Sequence, residues 1–247
     1  HSHRTAEVFF VLSGRWRFFW GRHGNAGEVI LEKGDIFNIP TGIFRGFENI
    51  GDSYGMLMAI LGGDDAGGGV IWAPEVLLEA KKHGLILSEK GKIYDTLKGQ
   101  KIPNNENNME ILKDDELKKF PEYSTGEVVP NYVARYLDLH SLSHDNPCAV
   151  IGEKGKIFDK PGFEVEFISE KSFKKDDGFY NKDIVFMPVE GYWSIKSDIC
   201  DLILNPGDTF SLPKHNKYSL EPTKPGMAGI YKVIPTDDMP GSTHRKQ

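Results

Sequence analysis

Cysteine is scarce in this chain: Cys148 and Cys200 are its only two in 247 residues, too few for a disulfide framework, and they read as separate thiols rather than a bridge. No run of about eighteen apolar residues occurs, which excludes a membrane-spanning helix. An excess of positive charge is missing as well. Thirty Lys and Arg stand against 36 Asp and Glu, a net charge of −6, which argues against general affinity for nucleic acid or an anionic membrane and leaves a small-molecule ligand, neutral or anionic, as the expected partner. The glycine-rich stretch Gly62 to Gly69 lacks the G-x-x-x-x-G-K-[ST] pattern, and its two aspartates would repel phosphate, so it reads as a loop. An initiator Met is absent too. A cytoplasmic location is expected, with an upstream signal peptide left open.

What the chain does have is concentrated in its first fifty residues. His1, His3 and Glu7 all carry odd numbers, so on an extended strand they point to one side. Two imidazoles and one carboxylate suit a divalent transition metal with open coordination positions. The spacing His1-x-His3-x3-Glu7-x6-Gly14 resembles the first motif of the cupin superfamily, and Gly34-x5-Pro40-x-Gly42-x2-Arg45-x3-Asn49 resembles the second. The resemblance implies a small double-stranded β-barrel of the jelly-roll type, with His1, His3 and Glu7 as metal ligands. It departs at one place: the family's fourth ligand is a His where this chain has Arg45. A guanidinium cannot ligate a cation and stays charged, so Arg45 both removes a ligand and adds a repelling charge.

Along the chain, Val8 to Leu12 reads as a buried strand ended by Gly14, and Trp16, Phe18 and Trp20 share one face of the next. Strands are expected over 28–31, 36–39, 44–48 and 54–61. Pro74 opens a helix with Glu75 in its first turn, Lys81 and Lys82 in its last and Gly84 beyond, the charge order that helices prefer. Residues 99–110 read as an exposed linker, 114–120 as a short helix, and Val128-Val129-Pro130 as an extended lead into the second half.

Two landmarks repeat in order. Gly34-Asp35-Ile36-Phe37-Asn38-Ile39-Pro40 returns as Gly207-Asp208-Thr209-Phe210-Ser211-Leu212-Pro213, and Gly14-Arg15-Trp16 returns as Gly191-Tyr192-Trp193. The expected architecture is therefore all-β: an N-terminal cupin barrel over 1–72, a connector with short helices over 73–129, and a degenerate C-terminal barrel over 130–247. Counting back from Gly191, the second half holds Gly178, Tyr180 and Ile184 where the first has His1, His3 and Glu7, and Tyr218 where it has Arg45. His215 takes the place of the turn glycine Gly42. The second half is expected to hold no metal.

Three functions follow as expectations. One is a metal-dependent cupin oxidoreductase, dioxygenase-like, acting on a small organic acid, with Fe, Mn, Ni or Zn on His1, His3 and Glu7 and Arg45 as the catalytic clamp on the substrate carboxylate. Another is a metal-free isomerase or epimerase-like enzyme with a histidine as general base. The third is a binding or structural protein, in which Arg45 pairs with Glu7 inside the barrel. The resemblance also implies a homodimer covering an open sheet edge.

Overall fold

The computed structural model describes residues 1–62, 70–157, 161–173 and 178–236. The glycine-rich loop expected after Gly62 lies outside the described residues. Six strands fill the first sixty residues: β1 (Glu7–Ser13), β2 (Arg15–Trp20), β3 (Gly27–Glu32), β4 (Ile36–Ile39), β5 (Arg45–Asn49) and β6 (Met56–Leu61). They pair antiparallel into two sheets, β3-β2-β5 and β6-β1-β4, whose inner faces enclose a core of Phe9, Val11, Phe18, Trp20, Leu31 and Phe37. On β2 the expected aromatic face holds. Phe18 and Trp20 are fully buried and Trp16 is half-buried, while Arg17 on the other face reaches Glu28 and Glu48 at 2.8 and 3.3 Å, exposed pairs of little energetic weight.

β1 is buried on both faces. Phe9 and Val11 point into the first half, whereas Val8, Phe10 and Leu12 pack against the second half together with Phe167, Tyr231 and Val233. A strand covered twice reads as a continuous apolar run, which is why the alternation seen in β2 is missing here. Each fully buried Phe on such a strand contributes about 1.5–3 kcal/mol. The two halves are also tied by Tyr231, whose hydroxyl donates to the Gly34 carbonyl oxygen at 2.5 Å, and by Asp35, which accepts from the Tyr136 backbone N–H at 2.9 Å.

Between the halves run α1 (Pro74–Lys82), the hairpin β7 (Leu85–Leu87) and β8 (Ile93–Asp95), then α2 (Asp114–Leu117), α3 (Thr125–Tyr132), β9 (Val133–Ala134) and α4 (Tyr136–Leu142). The helix expected from Pro74 forms with its expected ends. The extended lead over 128–130 does not: these residues lie inside α3. Ser124 and Glu127 make a reciprocal cap, the Glu127 carboxylate accepting from the Ser124 N–H at 2.8 Å and hydroxyl at 2.7 Å, and this start signal outweighs Pro130. The polar stretch 99–110 is anchored rather than free, since Glu106 accepts from the Tyr94 hydroxyl at 2.9 Å.

The second half comprises β10 (Cys148–Ile151), β11 (Phe163–Ser169), β12 (Gly178–Phe179), β13 (Ile184–Glu190), β14 (Trp193–Ser197), β15 (Asp201–Leu204), β16 (Phe210–Leu212), β17 (Lys217–Pro222) and β18 (Gly229–Pro235). Its sheets, β10-β11-β18-β13-β16 and β12-β17-β14-β15, face each other across Phe186, Trp193, Ile195 and Leu220. Each half is thus a pair of facing sheets. The register repeats residue for residue: Glu7 pairs with Ile39 as Ile184 pairs with Leu212, and Trp16 pairs with Leu31 and Asn49 as Trp193 pairs with Leu204 and Pro222. The side chains repeat as well. Trp16 donates its indole N–H to the Ser13 carbonyl at 2.9 Å, and Trp193 donates to Glu190 at 3.1 Å, in each case across a glycine with positive φ. Cys148 and Cys200 are free.

Candidate functional site

His1, His3, Glu7 and Arg45 meet at one end of the first half. Glu7 opens β1 and shares its inner face with Phe9 and Val11; Arg45 opens β5 opposite Trp20. The two histidines are not on β1, contrary to the expectation of one straight strand. Ser2 bridges to Ile71, the backbone bends at Arg4 and Thr5, and β1 begins only at Glu7. A local bond supports the bend: His3 Nδ1 lies 3.0 Å from both the Thr5 carbonyl oxygen and the Thr5 hydroxyl. The histidines are held instead by the first residue of β5 and by the turn before it. The Arg45 N–H donates to the His1 carbonyl at 2.9 Å, and the Gly42 N–H to that of His3 at 3.2 Å.

This frame brings the three predicted ligands together. One ligating atom from each of His1, His3 and Glu7 lies within 4.8 Å of the others. The His1 and His3 rings stack at 5.5 Å, and Trp72 tilts against His1 at 5.6 Å. Trp72, some seventy residues away in sequence, carries no spacing signal that would have tied it to the histidines.

Arg45 enters the middle of this set. Its Nη2 donates to Glu7 Oε2 at 2.8 Å and its Nε to the same oxygen at 3.3 Å, while Nη2 also contacts His3 Nε2. His3 Nε2 lies 3.3 Å from that same Glu7 oxygen. Arg45 is 4% exposed, Glu7 7% and His3 3%, so this is a buried ion pair with an imidazole attached. Burial alone would raise the Glu7 carboxyl, but the His3 hydrogen bond and the charge and bonds of Arg45 outweigh it and hold Glu7 below its ordinary value. Burial pulls the Arg45 guanidinium down, and Glu7 opposes that.

The donor set suits a divalent metal, but its arrangement does not. Glu7 Oε2 accepts from the Arg45 guanidinium, whose Nη2 also contacts His3 Nε2, so a fixed positive charge stands among the three ligating groups. Arg45 Nη1 is the weakly satisfied atom of the group, donating to the Ile43 carbonyl at 3.4 Å. Two cavities flank the cluster. One, about 390 Å³, is walled by His1, Phe19, Phe44, Arg45, Phe47 and Trp72; the other, about 620 Å³, lies beside His3, Arg4, Thr41 and Phe120. Of the two, only the first touches Arg45.

In the second half the counterparts are those expected. Gly178 pairs with Tyr218 as His1 does with Arg45, and the His215 N–H donates to the Tyr180 carbonyl at 2.8 Å as Gly42 does to His3. Among the described residues, His1, His3 and Glu7 form the one cluster of His, Cys, Asp or Glu with metal-ligand proximity.

A profile of the cupin domain matches residues 1–61. A salicylate 1,2-dioxygenase from Pseudoaminobacter salicylatoxidans superposes with a TM-score of 0.54 at 14% identity, over 95% of this chain and 66% of its own. An oxalate decarboxylase from Lactobacillus farciminis gives 0.51 at 13% identity, over 97% and 73%. Procruciferin, an 11S globulin from Brassica napus, gives 0.52 at 12%, over 95% and 71%. The chain spans about two thirds to three quarters of the length of these neighbours. Among curated protein sequences none matches. At such identities the likeness concerns the fold. No helix among the described residues is long and apolar enough to cross a membrane.

Proposed function

We propose that the first half of this chain, which matches the cupin profile over residues 1–61, binds a small organic acid without a metal, Arg45 receiving the carboxylate. The observation that carries this reading is the buried Arg45 donating twice to Glu7 Oε2 and contacting His3 Nε2. A guanidinium already supplies the positive charge among these groups. Arg45, whose Nη1 is only loosely bonded, is among the residues lining the 390 Å³ cavity, whose walls of Phe19, Phe44, Phe47 and Trp72 suit an apolar or aromatic body behind a carboxylate. That volume is within the range of small-ligand sites. Two of the neighbours are named for organic acids, salicylate and oxalate, which agrees with the class of ligand.

Isothermal titration of chelator-treated protein with salicylate and with oxalate tests the reading. Binding of at least one acid is expected, weakened by about tenfold in Arg45→Gln, which keeps the shape but loses the charge-assisted bond. Equal binding by Arg45→Gln, or binding only after metal is added, speaks against it.

One observation favours a second reading, the dioxygenase-like oxidoreductase. The ligating atoms of His1, His3 and Glu7 converge within 4.8 Å, so with Arg45 turned outward they would hold Fe, Mn, Ni or Zn. Such a metal supplies Lewis-acid or redox chemistry when bound. In that arrangement Arg45 orients the substrate, and metal must raise both stability and turnover.

A further inference from the structure

The second half buries a lysine where the first half has an alanine. Lys232 on β18 lies opposite Glu166 and Phe186, and the repeated register makes it the counterpart of Ala59 on β6. Its neighbours two residues away, Ile230 and Ile234, belong to the core of the second half, and Lys232 itself is 3% exposed. Its Nζ donates to Glu166 Oε2 at 2.8 Å and to the Tyr180 hydroxyl, and sits 4.1 Å from the Tyr180 ring centroid. Tyr180 and Tyr218, the counterparts of His3 and Arg45, place their ring centroids 6.3 Å apart. Gly178, the counterpart of His1, makes room for them: a Cβ there would meet the Tyr218 ring at 2.5 Å. These groups line a cavity of about 260 Å³ together with Ile168, Phe173 and Leu220.

A buried ammonium is costly, and a well-packed apolar residue in place of a buried ion pair is often neutral or stabilising. In the first half the matching position holds Ala59, which is exposed. Glu166, whose side chain is 37% exposed, balances the charge only from the cavity's wet side. Burial, with the nearby Tyr180 and Glu166, pushes the Tyr218 hydroxyl well up, so it stays a proton donor. The cavity therefore offers an ammonium, held by the Glu166 carboxylate, and two phenols, with one aromatic wall at Phe173 and aliphatic walls at Ile168 and Leu220. At 260 Å³ it is smaller than sites for drug-sized ligands.

We propose that Lys232, Tyr180 and Tyr218 form a metal-free receptor for a small aromatic monocarboxylate, whose carboxylate takes the place of Glu166 on Lys232. The site is separate from the one around Arg45 and does not rest on it. Fluorine NMR of the full chain labelled with 3-fluorotyrosine and titrated with sodium benzoate tests this. The Tyr218 resonance, assigned by its loss in Tyr218→Phe, is expected to shift saturably, and to do so equally in Arg45→Gln. Benzamide, without the charge, and the variant Lys232→Met are each expected to weaken the response by about tenfold. Glu166→Gln removes the competing carboxylate and is expected to tighten benzoate binding. No benzoate-dependent shift at Tyr218, an unchanged response in Lys232→Met, or weaker binding in Glu166→Gln would overturn the proposal. Should Lys232→Met not fold, the benzamide and Glu166→Gln arms decide it.

Discussion

His1, His3, Glu7 and Arg45 in the first half correspond to Gly178, Tyr180, Ile184 and Tyr218 in the second, on backbones that pair in the same register at these positions. The first set gathers a carboxylate, a guanidinium and imidazoles at the mouth of an aromatic cavity. In the second, the carboxylate has become an isoleucine in the core, the guanidinium a phenol, and the positive charge has moved across to Lys232 on another strand. The lesson is that the frame does not depend on the chemistry it carries. Strand register and turns are fixed by apolar faces and backbone bonds, so the four positions are free to change.

The comparison breaks most visibly at Arg45. Arg45→Ala leaves Glu7 buried beside His3 alone, and breaking such a pair costs about 3–5 kcal/mol, measured by denaturant unfolding. Tyr218→Phe, at the matching position, keeps the ring in the core, leaves no charge behind and is expected to cost less. The pH dependence has a definite sign. Glu7 is held below its ordinary value in the fold, so the stability it contributes is complete above the ordinary carboxylate range and is lost as pH falls through the lowered value. The gap between the unmodified chain and Arg45→Ala should therefore narrow on acidification.

Next come the paired tryptophans. Trp193 is fully buried and Trp16 half-buried, so Trp193→Ala should cost about 3–5 kcal/mol and Trp16→Ala clearly less, despite identical indole bonds. Comparable losses would mean that the two cores are packed alike. The smallest effect is at the turn. His215 holds φ 67° where Gly42 holds 84°, and it is the one non-glycine residue with positive φ among those described. His215→Gly should change stability by no more than about 1–2 kcal/mol in the stabilising direction, the strain a left-handed residue stores, readable as a small rise in melting temperature.

Much of this was legible in the sequence because cupin spacing, aromatic alternation on β2 and the repeated Gly-Asp turn are local signals. The counterparts Gly178, Tyr180, Ile184 and Tyr218 followed from counting alone. What was not legible depends on contacts across the chain. Spacing put the two histidines and Glu7 on one face and offered the Arg45–Glu7 pair as one alternative, but could not show that Arg45 would also contact His3, nor that residues 1–3 would hang from Gly42, Arg45 and Ile71. Pro130 hid α3, although Ser124-x-x-Glu127 was there to announce it. Lys232 sits in the run Gly229–Pro235 as a lone charge among apolar residues, a signal that its burial makes meaningful only once Glu166 and Tyr180 are seen beside it.

The central claim is that Arg45, and not a metal, holds Glu7 and His3 together. Thermal melting of the unmodified chain in chelator and then in an excess of Fe(II), Mn, Ni or Zn tests it most directly. The account predicts the same midpoint throughout. A metal that binds the fold at a hundred times its dissociation constant adds about 2.7 kcal/mol, a rise of several degrees, and such a rise, abolished in His3→Ala, would contradict it.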